Sequence, residues 1–220
     1  MSAKTIAAPI TAIHGRARLM IGIRWRDSTL NCTVSLSRVS ACGVSDSDGG
    51  IGPGVHAGEW MIVSDELAAG VRRMLADAEQ RGLAVELRRR PVARSLEEAA
   101  ELLGIAPSDI AKTIVVRRSS GDYLFAVIPG GTQIAWPKLR LLLGVSKMKL
   151  PDAAEALEAT GYERGTITPI GSDPGWPVII DQRLIGHRAA LGAGGHGYSA
   201  FVEIDDLVRA YDATVADIVS

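Results

Sequence analysis

The chain has 220 residues, 47% hydrophobic and 22% charged, with a formal net charge of -1. That composition excludes a fibrous or largely disordered protein and leaves room for one ordinary core plus an extension, not two full domains. A near-neutral chain has no whole-molecule field to draw in a polyanion, so any nucleic-acid contact must come from local basic clusters.

Residues 1 to about 60 show no sustained helical or strand period and end in SDSDGGIGPGVHAGE, a Gly, Ser and Asp run that cannot bury a face. They read as a disordered extension to a domain spanning 61–220, and Met61, which opens the first strongly patterned segment, is a candidate for the start of the protein. The first residues carry several Arg and few acids, like a transit peptide, but lack the apolar core and small-residue cleavage site of a secretory signal. Cys32 and Cys42 have neither metal-knuckle spacing nor a second pair. No apolar run approaches the ~20 residues of a membrane helix. The expectation is a cytoplasmic protein with no membrane partner.

Patterning sharpens at SDELAAGVRRMLADAEQRG. Leu67, Val71, Met74, Leu75 and Ala78 fall on one helical stripe, with Ser64 or Asp65 as N-cap and Gly82 beyond the end. A short strand, LAVEL, and the basic run Arg88, Arg89, Arg90 precede SLEEAAELLG, where Ser95 and Glu98 form a capping box and Gly104 closes the helix. PSDIA is a short turn. AKTIVVRR and DYLFAVIPG, joined by Ser119, Ser120 and Gly121, read as a β-hairpin with Lys112 at its mouth. PKLRLLLG and PDAAEALEATG place Pro137 and Pro151 at helix first positions, with Gly144 and Gly161 as terminators. SKMKL, PVIID, RAALG and YSAFVEI are strand candidates, and a last helix begins near Asp205 and runs through LVRAY. The spacing is not that of a doubly wound sheet. The fold class expected is α/β in the α+β sense: one domain with a mixed, mainly antiparallel sheet surrounded by helices.

The usual hydrolytic and nucleotide-binding motifs are absent: no G-x-S-x-G, no H-E-x-x-H, no P-loop and no dinucleotide fingerprint. No cofactor and no metal are expected. The glycine run Gly192-Ala193-Gly194-Gly195-His196-Gly197 precedes a strand candidate, which favours a tight turn over a phosphate loop. His196 could act as acid, base or donor, although it has no evident orienting partner in the sequence. Lys112 precedes the apolar strand TIVV, where an ammonium points into or across a sheet end unless it snorkels to the surface. Gly165-Thr166-Ile167-Thr168-Pro169 is too polar for a strand core and reads as a turn-rich loop.

In their order along the chain these features resemble the YbaK/prolyl-tRNA editing superfamily. The motifs are I-A-K-T-I-V-V with Lys112, a P-G-G turn, W-P-K-L-R-x-L-L-G, T-G-Y-E-x-G-T-I-T-P and G-A-G-G-H-G. The resemblance covers roughly Met61 to the C-terminus. It implies hydrolysis of mischarged aminoacyl-tRNA, in trans or as an insertion in prolyl-tRNA synthetase. Lys112 matches the family's essential lysine, Gly165 and Pro169 its G-x-x-x-P loop, and Gly192 to Gly194 the glycine strand-end lining the pocket. Several relatives carry a His in the stretch equivalent to Arg88-Arg89-Arg90-Pro91, where this chain has only Arg, and this bears on substrate subclass.

The reaction so implied needs no Ser, Cys or metal nucleophile, because an aminoacyl ester is already activated and can be hydrolysed by positioning and preorganised dipoles. Lys112 is then the catalytic anchor, binding the terminal phosphate or the carbonyl. Thr113, Gly165, Thr166, Thr168, Pro169, Gly192, Ala193, Gly194 and His196 are the expected substrate-binding set, with amides of Gly192 to Gly194 on the carbonyl side. The substrate implied is a tRNA mischarged with a small amino acid such as Cys, Ala, Ser or Thr, with tRNA-Pro a candidate carrier and an aminoacyl-tRNA synthetase a candidate partner; DNA is not. RNA contact falls to Arg88, Arg90, Arg117, Arg118, Lys138 and Arg140, and Trp136 either stacks on a base or packs into the core. Two rivals stand beside this: a non-catalytic tRNA- or synthetase-binding module of the same fold, and a Schiff-base enzyme using Lys112 as nucleophile.

Overall fold

The computed structural model describes residues 67–220 and, before them, three short strands. Strands β1 (Thr5–Pro9), β2 (Met20–Trp25) and β3 (Cys32–Ser37) pair antiparallel in that order. They fall within the stretch expected to be a disordered extension. MIGIRW and CTVSLS each alternate apolar and other residues for only three repeats, too short to register as a sustained period. The rest of that stretch lies outside the described residues, as do Ser64 and Asp65, the expected N-cap.

Helix α1 (Ala69–Arg81) buries Val71, Met74 and Ala78, the expected stripe. It ends at Gly82, whose φ of 67° closes the turn, and the Leu83 amide then donates back to the Ala78 carbonyl at 2.8 Å. The first residue of LAVEL is therefore still part of the helix cap, and strand β4 begins later, at Glu86–Arg89. Helix α2 (Leu96–Leu103) is capped by Ser95, which accepts the Glu98 amide at 3.1 Å. The capping box is half-closed, because the Glu98 carboxylate takes the Arg94 amide at 2.6 Å and not that of Ser95. A 3-10 turn at Pro107–Asp109 leads into β5 (Ala111–Arg118), which forms the expected hairpin with β6 (Tyr123–Pro129).

Then come α3 (Trp136–Leu143), β7 (Met148–Lys149), α4 (Ala153–Thr160), β8 (Val178–Asp181), β9 (Arg188–Gly192), β10 (Tyr198–Glu203), α5 (Ile204–Tyr211) and β11 (Thr214–Ala216). Pro137 occupies the second helical position of α3, not the first. Pro151 stands outside α4, because the Asp152 carboxylate accepts the Glu155 amide at 2.8 Å and takes the N-cap itself.

Two sheets organise the described domain where one was expected. The larger has the order β11-β8-β6-β5-β7, with β11·β8 and β8·β6 parallel and the hairpin and β7 antiparallel. The smaller, β4-β10-β9, is antiparallel throughout. A parallel bridge between Ile110 and Ala190 joins them at the start of β5. One core, containing Val71, Met74, Phe125, Val127, Leu191 and Val202, fills the space between α1, α5 and one face of both sheets. The opposite face of β5 and β6 carries Val116, Leu124 and Ile128, covered by Leu139 of α3 and the C-terminal Ile218 and Val219. The architecture is α+β, as expected.

Candidate functional site

Lys112 is the second residue of β5, opposite Ile128. Side chains alternate along a strand, so Lys112 shares its face with Ile114 and Val116, while Ala111, Thr113 and Val115 look into the first core. The Lys112 ammonium donates to the carbonyl of Thr132. That carbonyl is presented by the P-G-G-T turn after β6. Thr132 Oγ1 donates to the Pro129 carbonyl at 2.7 Å and the Gly130 amide to the Ile110 carbonyl at 2.7 Å. Only glycine fits at 130, since an added Cβ would lie 1.9 Å from the Pro107 carbonyl oxygen. Burial pushes the Lys112 pKa below its ordinary 10.5, and Glu97, in the first turn of α2, opposes that. An ammonium has three donors. Among the described residues one is committed, which leaves two for a ligand.

Thr113 does not join Lys112. Its hydroxyl is on the core side of the sheet, buried without a partner. Placing the two in one pocket assumed that neighbours in sequence share a face, which a strand forbids.

The Gly165 to Pro169 loop is held from within. Thr166 is 2% exposed, and its hydroxyl donates to the Glu163 carbonyl at 2.9 Å. Thr168 is fully buried and its hydroxyl accepts the Ile170 amide at 3.3 Å. Pro169 is buried as well, whereas Gly165 is exposed. Both threonines therefore scaffold the loop; their hydroxyls are not the free substrate contacts expected of them. The glycine turn is docked against this loop. A Cβ on Gly192 would meet the carbonyl oxygens of Ile167 at 2.3 Å and Thr166 at 2.6 Å, and the Gly194 amide donates to the Thr166 carbonyl at 2.9 Å. Gly194 also passes Gly70 of α1 so closely that a Cβ would lie 2.6 Å from that residue's carbonyl oxygen. Its amide is thus not available to an acyl oxygen, and Ala193, fully buried in the core, does not line a pocket. The expected substrate roles of Gly194 and Ala193 are replaced by backbone packing.

His196 is exposed, and its Nε2 lies 3.0 Å from the Glu163 carboxylate. Glu163 is the orienting partner that the sequence did not disclose, although it stands inside the T-G-Y-E motif. The Ile110–Ala190 bridge relates the two halves of the site. Two residues further along each strand lie Lys112 and Gly192, which therefore point to the same side of the sheets. The backbone filling the Cβ direction of Gly192 puts the Thr166–Ile167 segment on that side too. Ser199 pairs with Gly192, and its hydroxyl accepts from Arg90 Nε at 3.0 Å. Burial pushes the Arg90 pKa down, with Glu98 opposing. One side of the molecule thus gathers Lys112, the loop, Ser199 and Arg90. Sequence reasoning missed Glu97, Thr132 and Ser199, none of which lies in a motif.

The profile of the aminoacyl-tRNA editing domain family matches residues 90–210. This chain belongs to that family. The matched span includes Lys112, the 165–169 loop and the glycine turn. The proline–tRNA ligase of Bacillus licheniformis is 28% identical over 129 residues, covering 58% of this chain and 22% of the ligase. A candidate Cys-tRNA(Pro)/Cys-tRNA(Cys) deacylase of Enterococcus faecalis is 31% identical over 101 residues, covering 46% of this chain and 62% of that protein. The chain thus spans only part of the length of these relatives. Among solved structures, a protein described only as hypothetical aligns with a TM-score of 0.64 at 29% identity, covering 67% of this chain and 99% of its own. A candidate trans-editing enzyme for prolyl-tRNA synthetase shares the fold, with a TM-score of 0.65 at 23% identity over 70% of this chain and 99% of its own.

The basic residues of this editing domain divide into committed and free. Arg88 is stacked 3.9 Å from the Phe201 ring centroid and bonded to Glu86 at 2.7 Å, and Lys138 is held by Asp217 and the Val219 carbonyl, each at 2.8 Å. Neither is the loose phosphate contact expected. Arg118 and Arg140 instead converge on a groove at the far end of β5, together with Arg117, which is committed to Glu155 at 2.5 Å. Trp136 packs against the second core. Among the described residues no helix is long and apolar enough to cross a membrane, and no group of three or more His, Cys, Asp or Glu is placed to hold a metal.

Proposed function

We propose that this editing domain hydrolyses the ester between a misattached amino acid and the terminal ribose of tRNA, acting in trans, with Lys112 as its catalytic residue. The observation that carries this is the Lys112 ammonium: half-buried, aimed by the Thr132 carbonyl, and with two donors unspent beside the 165–169 loop. A desolvated ammonium with spare donors stabilises an anion far better than one in water. In the proposed step a water oxygen bonds to the acyl carbon, the carbon–ribose-oxygen bond breaks, and the departing ribose oxygen takes a proton. Lys112 binds the terminal phosphate or the developing acyl oxyanion, and the vicinal ribose hydroxyl helps to hold the water. The His196–Glu163 pair is an imidazole close to the loop that could relay the proton. Substrate choice comes from a size sieve, because one methylene discriminates only about 10- to 200-fold by binding alone.

The reading is supported by family membership and by relatives named as proline–tRNA ligases and as a candidate Cys-tRNA(Pro) deacylase. It extends to small amino acids such as Cys, Ala, Ser or Thr, with tRNA-Pro as carrier and a prolyl-tRNA synthetase as functional partner. A deacylation panel over purified mischarged tRNAs tests it, comparing wild type with Lys112→Ala. Hydrolysis of one small-amino-acid ester, lost in the variant, is the expected result; no hydrolysis of any member would leave a tRNA-binding module. Borohydride should trap no adduct, and a trapped one would make Lys112 a Schiff-base nucleophile.

A further inference from the structure

We infer that the groove at the Arg118 end of β5 is a second RNA site, which takes backbone phosphates of the tRNA acceptor arm while the Lys112 end takes the aminoacyl terminus. The inference rests on the deacylase reading for the identity of the RNA. The groove has a volume of about 500 Å³ and is lined by Arg117, Arg118, Arg140, Lys147 and Lys149, with no acidic residue in its lining. Glu155 is shared by Arg117 at 2.5 Å and Lys149 at 3.5 Å. The others are uncompensated. Arg118 Nε is buried without a hydrogen-bond partner, and Arg140 and Lys147 make no ion pair within the described residues. With no ion pair and no acceptor at its Nε, the Arg118 guanidinium is not committed to the protein, and its terminal N–H groups are left for a ligand oxygen. The planar fork of Arg is shaped to hold phosphate oxygens through paired N–H groups. Such a concentration of positive charge on a chain of net charge -1 is local, as a phosphate contact on a near-neutral protein must be.

Its position selects the ligand. Arg118 is six residues from Lys112 along one strand and points to the same face, which separates them by about 20 Å at ~3.3 Å per residue. That distance is several nucleotide steps along an RNA strand. The groove is therefore too far to touch the charged nucleotide and suitably placed for the stem behind it. Phosphate contacts of this kind fix orientation and carry no sequence information.

The test uses the full chain and the double variant Arg140→Glu/Lys147→Glu, which breaks no ion pair. Binding of uncharged tRNA, measured between about 50 and 200 mM salt, should weaken at least tenfold, with the salt dependence shallower by about two phosphate contacts. Arg140→Gln/Lys147→Gln should lose less, in the same direction. With mischarged tRNA, KM should rise while kcat holds, and an aminoacylated CCA trinucleotide, too short to reach the groove, should be hydrolysed by wild type and variant alike. Unchanged tRNA affinity and salt slope would overturn the inference, as would an equal loss on the trinucleotide or a loss confined to phosphatidylserine vesicles. Should the wild type hydrolyse no aminoacyl-tRNA, the deacylase reading falls, while the uncharged-tRNA measurement still decides the groove.

Discussion

Strand β5 carries a cation near each end, and the two ends are built differently. At Lys112 a single ammonium is partly drawn out of water, aimed by one carbonyl and favoured by the charge of one carboxylate, Glu97. At Arg118 several cations crowd an open groove, where Glu155 pairs with Arg117 and Lys149 and the rest have no ion-pair partner among the described residues. Burial turns one charge into a donor with a fixed direction, whose effect is felt over a bond length and is little screened. Exposure turns many charges into a field that attracts any phosphate and yields to salt. The first arrangement suits chemistry on one bond, the second the holding of a polymer.

The sharpest way to break this contrast is at Lys112. Lys112→Ala should lower turnover of the mischarged substrate by about a hundredfold or more, the loss typical when one preorganised donor to a developing charge is removed, with the fold intact by circular dichroism. Lys112→Arg should also be poorly active, because a planar fork does not replace a compact ammonium in a tight site. A well-folded Lys112→Ala protein working at the wild-type rate would mean that the two ends do not differ in kind.

Salt separates them next. Raising ionic strength from about 50 to 200 mM should weaken tRNA binding by about tenfold or more if three or so phosphates are neutralised, yet leave the single-turnover rate at saturating tRNA nearly constant. A rate constant that falls in step with affinity would place exposed charge in the chemical step itself.

A smaller effect probes the loop beside Lys112. Asp77 of α1 accepts the Gly171 amide at 2.8 Å, the Tyr211 hydroxyl and Arg81 Nε at 3.0 Å, tying the end of that loop to two helices. Asp77→Ala leaves these donors unpaired and should cost about 1–3 kcal/mol of stability, read by denaturant unfolding, without changing tRNA affinity in the groove. Burial raises the Asp77 pKa, but the Tyr211 hydroxyl, the Gly171 amide and Arg81 outweigh it, so the folded value lies below the ordinary 3.8. Its contribution is therefore fully present above about 3.8 and lost as pH falls through the lower folded value, a step that Asp77→Asn should remove.

At the alkaline end the slope has the same sign, with burial of a cation as its cause. The Lys112 pKa is lowered by burial, so between that value and 10.5 the unfolded chain binds more protons than the folded one, and stability rises with pH across this window. Lys112→Met should flatten the rise in urea midpoints. Smallest of all, removing residues 1–60 should leave folding and deacylation intact, because the whole motif set lies beyond them. An insoluble or inactive truncation would show that β1 to β3 belong to the domain.

The legible parts of the fold were those with local causes. Val71, Met74 and Ala78 mark a helix face by spacing alone, and Gly82, Gly104, Gly144 and Gly161 stop helices where they stand, each in the left-handed conformation. The hairpin from Ala111 to Pro129 follows from two β-rich runs and a short polar turn. Errors clustered at boundaries, where two signals competed: Asp152 displaced Pro151 from the start of α4, and Leu83 was claimed by the helix cap before it could join a strand.

For the site, the sequence by itself determined which residues to examine, because the order of the motifs is a one-dimensional property: Lys112, Gly165 to Pro169, the glycine turn. Only the tertiary structure decided what each one does. Strand alternation separated Thr113 from Lys112. The threonine hydroxyls were spent inside their own loop, and the close approach of the glycine turn joined the Gly194 amide to the Thr166 carbonyl and supplied Glu163 to His196 across 33 positions of chain. The same is true of the basic residues. Arg88 and Arg118 look alike in sequence, and it is Phe201 and Glu86 beside one, and no ion-pair partner among the described residues for the other, that make the first a structural contact and leave the second uncommitted. A charge is free or committed according to what folding brings within a few ångströms of it, and that distance is not written in the order of residues.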